Sequence, residues 1–367
     1  MLPGVTRGTE RLLPRCLPGP WPAKREGSVA TTIGDVGEKE LIRTLVRPLF
    51  NPQARPELAG DDCGTVWVRP DLGVLLSTDR VPWDLVSFSL GLIDIRGLGY
   101  YLAVLNISDV AAMGGRPAGL LLNLALPDSF PLDDLKKLLN GIQDASHEFD
   151  CPILGGDLSN SVEPSLCATV LGFSHGSRVL HRSGTGVDHR PFCSQTVGLT
   201  PTAFAYFREA KPRGLRLSPD EEELLVRQFR QPVARVRLGE HLARSPVHVA
   251  CMDNTDGLAQ SLLEISEAGS AGIILQEELL PLHDVTREVA AYLRTDPVEL
   301  ALRPGADFQL VGTYAGDELP DDSLVPLGRA GGPPGQLFLE SAAGGMRPLE
   351  VQGWNYFAGR SQDLPLT

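Results

Sequence analysis

The chain has 367 residues, 42% of them hydrophobic and 22% charged, enough for a sizeable core in two or three domains and too apolar for disorder throughout. Its 33 basic and 46 acidic residues leave a formal net charge of -13, which disfavours a general nucleic-acid surface, since that needs clustered Lys and Arg. The most apolar region, 100–127, is broken by Asp109 and Arg116, so no membrane-spanning helix is expected.

In chain order, residues 1–34 are rich in Pro, Gly and Arg and have no apolar core of the signal-peptide kind; they read as a disordered tail or a start codon set too far upstream. Order is expected to begin near Gly37–Phe50, where Leu41, Ile42, Leu45 and Val46 recur at helical spacing. The apolar runs Thr65–Val68, Gly73–Thr78, Gly119–Leu126, Pro152–Leu154 and Leu166–Phe173 predict strands. Helices between several of them give an alternating α/β pattern. From about Gly176 a second region holds a polar helix at Ser218–Phe229, an apolar run at Val247–Met252 and a helix from Leu258. Strand-like runs at Ala271–Gln276 and Phe308–Tyr314 follow. The expected division is therefore 35–175 and 176–360, with a tail at 361–367. Six Cys, none in a C-x-x-C pair, suit reduced thiols in a cytoplasmic chain.

The informative feature is an Asp that ends or interrupts nearly every apolar run: Asp61 and Asp62 in GDDC, Asp79 in LLSTD, Asp109 in LNISDVAAM, Asp157 in ILGGD, and Asp253 and Asp256 in MDNTDGL. Taken singly, each fits a strand-end turn or a helix cap. Asp109 resists that reading, because Leu98, Leu102, Leu105, Asp109 and Ala112 fall on one helical face. A carboxylate on a buried stripe needs a cation or hydrogen bonds. Several Asp beside the hydroxyls of Ser77, Thr78 and Thr255 make hard oxygen donors, which suit Mg²⁺ or Mn²⁺ better than zinc. The P-loop pattern is absent, and GLG at Gly97–Gly99 continues as YYL, so the dinucleotide fingerprint is incomplete.

The order of GDDC, STD, LAVLNISDVAAMGGRPAGLLLNLALP, ILGGD, LHRSG, MDNTDGL, PGADFQLVGT and GWNYF resembles thiamine-monophosphate kinase, a family related to aminoimidazole ribonucleotide synthetase. The resemblance spans about 37–357. It implies an α/β (α+β) chain with a two-domain, synthetase-like fold. An N-terminal ATP- and Mg²⁺-binding domain would pair its sheet into a barrel across a homodimer, and the C-terminal domain would be of the same superfamily. ATP would act as co-substrate with several Mg²⁺ and a small-molecule acceptor, without nucleic acid or membrane.

By motif, the resemblance marks Asp62, Ser77, Thr78, Asp79, Asp109, Asp157, Asp253 and Asp256 as metal ligands. Gly156, Asp157, Arg182 and Thr255 become nucleotide contacts, and Asp109, Asp157 and Arg182 become catalytic. On the acceptor side it marks Val86, Ala306, Asp307 and Trp354. There the pattern departs: the His expected after S-T-D is replaced at the Val86–Ser87 register, and the family's G-G-E-D reads PGAD, with Ala306 in place of Glu. Three functions stay open from the residues: a thiamine-monophosphate kinase, a relative that uses ATP on another acceptor such as an amide or carboxylate, and a nucleotide-binding protein without catalysis.

Overall fold

In a computed structural model, residues 33–49 and 60–351 are described. Those residues fall in two compact units, one holding 33–48 and the other the rest. In the first, helix α2 (Glu38–Leu41) and further helical turns over Ile42–Val46 lie where helical spacing predicts them, while helix α1 (Ile33–Val36) comes before that stretch, with Ile33 and Gly34 in the predicted tail. Trp354 and both predicted tails, apart from Ile33 and Gly34, lie outside the described residues.

The second unit begins with β1 (Gly64–Arg69), β2 (Leu72–Val81), β3 (Arg116–Leu126), β4 (Ile153–Asn160) and β5 (Ser165–Phe173), in a five-stranded sheet of order β1-β2-β5-β3-β4. Helices α3 (Val86–Ser89), α4 (Ile95–Ala112) and α5 (Leu132–Glu148) connect them. Helices separate β2 from β3 and β3 from β4, as the alternating α/β pattern predicts, whereas β1–β2 and β4–β5 follow one another directly. β3 and β4 pair in parallel across α5, whereas β1–β2, β2–β5 and β3–β5 are antiparallel. The architecture of this region is therefore α+β: β1 and β2 are joined directly and so run antiparallel, and β5, which follows β4 without a helix, lies antiparallel between β2 and β3.

One face of this sheet is covered by α4. Along β5, residues alternate between half-buried and fully buried, the period-2 signature of a sheet packed on one side. The uncovered face carries Val66, Val68, Leu76 and Leu121, all exposed. Helix α4 departs from its expected amphipathic stripe: apart from Arg96 and Leu105 every residue in it is buried. It is apolar on all sides because it packs on β2 and β5, on α5, and on elements further along the chain. The α4–α5 crossing is close enough to require glycine, since a Cβ on Gly99 would stand 2.1 Å from the Leu138 carbonyl oxygen and one on Gly141 1.8 Å from that of Arg96.

After residue 175 come two four-stranded sheets. One contains β6 (His189–Cys193), β7 (Val249–Asp253), β9 (Leu310–Ala315) and β10 (Val325–Pro326), in the order β10-β6-β9-β7. The other contains β8 (Ile273–Gln276), β11 (Gly328–Ala330), β12 (Leu337–Glu340) and β13 (Met346–Pro348), in the order β11-β8-β12-β13. Helices α6 (Leu199–Ala205), α7 (Pro219–Arg230), α8 (Val236–Arg244), α9 (Leu258–Ala268), α10 (Asp284–Leu293) and α11 (Pro297–Ala301) surround them. The polar helix predicted at Ser218–Phe229 is α7, opened by a capping box between Ser218 and Glu221 with Pro219 in its first turn. One hydrophobic cluster runs from Cys63 through α4 to Leu225, Val289 and Phe308, so the packing is continuous across residue 175.

Candidate active site

Helix α4 lies between the covered face of the first sheet and β7, and this sandwich assembles the acidic motifs. Asp62 precedes β1, Ser77 and Asp79 belong to β2, Ser108 and Asp109 lie near the end of α4, and Asp253 ends β7. Carboxylate oxygens of Asp62, Asp109 and Asp253 all lie within 4.8 Å of one another. Asp109 and Asp253 are buried, and the Asp62 side chain is 4% exposed.

Burial sets the electrostatics of this cluster. It pushes Asp62 up to about 6 against the pull of Arg182. Asp253 is raised to about 7 by burial and by the charge of Asp62, although the hydroxyls of Ser108 and Thr255 favour its ionised form. Asp109 is held well above the usual carboxylate range by burial and then by Asp79, Asp253 and Asp62. Asp79 is raised by burial, with Asp109 beside it acting in the opposite direction. The backbone N–H of Asp79 donates to Asn106 Oδ1 at 3.0 Å, locking β2 to α4.

Asp62 Oδ2 is buried with no hydrogen-bond partner among the described residues. An orphaned carboxylate oxygen inside a cluster of hard oxygen donors fits a divalent cation of the Mg²⁺ or Mn²⁺ type, which would replace the missing donor. Asp62 Oδ1 is occupied instead by Arg182, whose Nη2 donates to it at 2.8 Å while Nη1 donates to Glu264 at 2.8 Å. Burial works to lower the Arg182 pKa, but the carboxylates of Asp62 and Glu264 outweigh it. Asp61 accepts from the Arg182 backbone N–H at 2.8 Å and pairs with His181 Nδ1 at 2.8 Å.

The other residues singled out in the sequence are distributed differently. Thr255 donates to Asp253 at 3.0 Å, and Asp256 beside it is half-buried. Thr78 is exposed and faces away from Ser77 and Asp79, as strand alternation requires. Its hydroxyl donates to the Ala168 carbonyl at 2.9 Å and accepts from Thr169. Gly156 and Asp157 sit on β4, which is exposed along its whole length, apart from the three-carboxylate cluster. Val86 opens α3 and is half-buried. Ala306 is half-buried, packs against the core and accepts from the Thr200 hydroxyl through its carbonyl. Asp307 is buried and accepts from the backbone N–H groups of Gly198 at 2.6 Å and Thr200 at 2.8 Å, so its carboxylate anchors the start of α6.

Sequence reasoning did not single out Asn106, Ser108, His181 or Glu264 for the site, and named Asp61 only as part of the GDDC motif, without a role. All but Glu264 stand inside or beside the quoted motifs. Glu264, in an 11-residue helix, carries no local signal, because a single Glu on a helix reads as an ordinary solvent-facing side chain.

Residues 60–174 match the family described as AIR synthase related protein, N-terminal domain, a stretch that holds the first sheet, α4 and the Asp62, Asp79 and Asp109 motifs. The fold of this stretch and the carboxylates it carries define it as a domain of the AIR-synthase-related class. The chain is 30% identical over 285 residues to thiamine-monophosphate kinase of Synechococcus elongatus, covering 76% of this chain and 82% of the relative. With that of Pyrococcus abyssi it shares 30% identity over 315 residues, covering 85% and 94%. It belongs to the thiamine-monophosphate kinase family. Solved structures agree in fold: AaThiL complexed with AMPPCP and TMP has a TM-score of 0.76 at 24% identity, covering 90% of this chain and 100% of that one. Thiamine-monophosphate kinase from Stenotrophomonas maltophilia K279a has a TM-score of 0.63 at 25% identity, covering 82% and 95%.

Proposed function

We propose that this chain is an ATP-dependent thiamine-monophosphate kinase, which transfers the γ-phosphoryl group of ATP to the phosphate of thiamine monophosphate. The products are thiamine diphosphate and ADP. The observation that carries the reading is the buried set Asp62, Asp109 and Asp253 with its orphaned oxygen, in a chain of this family. Those three carboxylates would hold Mg²⁺, with Ser77, Asp79 and Thr255 beside them; bound there, the cation neutralises phosphate charge during transfer.

A phosphate oxygen of the acceptor attacks the γ-phosphorus as the bond to the β-phosphate bridging oxygen breaks, and ADP leaves. The acceptor needs no general base, because a phosphate monoester with a second pKa of about 6 is largely dianionic at neutral pH. Arg182 supplies the phosphate clamp: its guanidinium is 19% exposed beside the cluster, and a planar fork matches phosphate oxygens as well as carboxylates. Asp157, Gly156 and Thr78 stand apart from the cluster and are assigned no step. In this reading 35–175 is the nucleotide-binding, dimerising domain and 176–360 its C-terminal companion. The uncovered sheet face, with exposed Val66, Val68, Leu76 and Leu121, supports pairing with a second copy, since an apolar sheet face of this kind calls for a cover.

A second acceptor class is favoured by Ala306, which presents no carboxylate where the family pattern has Glu. The test is a product assay with ATP, Mg²⁺ and a panel of phosphorylated acceptors. Thiamine diphosphate formed at an ordinary enzymatic rate supports the kinase; turnover confined to another acceptor identifies the alternative; absence of ATP turnover with every acceptor overturns both.

A further inference from the structure

The two oxygens of Asp62 have opposite surroundings. Oδ1 receives Arg182 Nη2 at 2.8 Å, whereas Oδ2, in the group formed with Asp109 and Asp253, is buried without a partner among the described residues. Which oxygen is left for the cluster depends on where the guanidinium is held. Its backbone is fixed by the bond from the Arg182 N–H to Asp61. Its head is fixed by Glu264, whose Oε2 accepts from Nη1 at 2.8 Å. Glu264 is steadied in turn by Gln260, one helical turn earlier on α9, whose Nε2 donates to Oε1 at 2.8 Å.

We propose that Glu264 is a positioning residue which, through Arg182, fixes the Asp62 carboxylate with its free oxygen in the cluster and thereby sets the affinity for a divalent cation. The proposal rests on the reading of the cluster as a cation site. A guanidinium bonded to two carboxylates through different nitrogens is fixed in its plane, and a carboxylate bonded to that guanidinium through one oxygen is fixed in rotation. Glu264 also balances the charge of Arg182, so the arginine can sit beside an incoming cation with little net repulsion. Removing the Glu264 charge loses both effects in the same direction.

The experiment measures Mn²⁺ alone, without nucleotide, by the loss of the free-ion electron paramagnetic resonance signal on binding to the full chain. Outer partners of metal ligands are worth about 10- to 100-fold in affinity, so Glu264→Gln is expected to weaken Mn²⁺ binding about 10-fold. Glu267→Gln, at an exposed position on the same helix, controls for a general change of charge and should stay within about twofold of wild type, as expected for a solvent-screened charge. Glu264→Asp should recover part of the loss. Unfolding in EDTA reports whether each variant is native. Should Glu264→Gln fail to fold, Gln260→Ala tests the same relay one bond further out, with a smaller weakening expected. Affinity equal to wild type in a folded Glu264→Gln or Gln260→Ala overturns the relay alone. Failure of the unmodified protein to bind Mn²⁺ overturns the cation site and the relay with it.

Discussion

Asp109→Asn separates a carboxylate kept for a cation from one kept for the fold. Asp109 is 7% exposed, its ionised form is opposed by burial and by Asp79, Asp253 and Asp62, and only the Ser77 hydroxyl favours it. Asn has the same shape and presents its neighbours Ser77 and Asp79 with an uncharged amide in place of a carboxylate. Replacing an uncompensated buried charge by a neutral group of similar volume is worth roughly 1–4 kcal/mol of added stability. Each kcal/mol raises Tm by about 2–4 °C in a chain of some 150–250 residues, and by no more in this longer one. In EDTA at pH 7.5, calorimetry should therefore show the variant melting several degrees above wild type. Excess Mg²⁺ should reverse or close that gap, because a ligand at a hundred times its Kd stabilises the native state by about 2.7 kcal/mol and the variant lacks a donor for it. Turnover should be abolished. A folded Asp109→Asn that is less stable than wild type in EDTA would show that the carboxylate serves the fold, and the cation reasoning would fail.

Three further outcomes follow from the same structure. Asp62 and Asp253 are raised to about 6 and about 7 from an unfolded value near 3.8, so between those limits the native state holds more protons than the unfolded chain. Stability of the cation-free protein should fall as pH rises from about 4 to 7 and then level off. The difference between wild type and Asp253→Asn isolates this effect, and a difference independent of pH contradicts it. Asp307→Ala leaves two buried N–H groups at the start of α6 without their acceptor and should cost roughly 2–4 kcal/mol in urea unfolding; a change under about 1 kcal/mol would place the anchoring elsewhere. Leu121→Arg puts a charge on the uncovered sheet face and should convert a dimer to a monomer by light scattering, and a wild-type protein that is itself monomeric at micromolar concentration removes the paired barrel.

The acidic motifs were legible in the sequence because burial of charge is costly: an Asp that interrupts apolar runs at 79, 109 and 253 is conspicuous wherever the chain folds. Local pattern also located β1–β5, β7–β9 and α7, whose period and capping residues act within a few positions of one another, but not β6 or β10–β13. The sequence stated less about partners distant in the chain. That Asp62 meets Asp253 rather than Asp157, and that Thr78 turns its hydroxyl away from Asp79, depends on strand alternation and on α4 bridging β2 to β7. The direction of the strands, the all-round burial of α4 and the Glu264–Arg182–Asp62 chain of bonds were likewise decided only by tertiary structure. Glu264 and Asp62 lie 202 positions apart in the sequence, and a contact of that kind leaves no trace in composition, periodicity or motif. It arises because α4 packs between the first sheet and β7, with α9 against β7, and so brings to one point side chains whose separate neighbourhoods look ordinary.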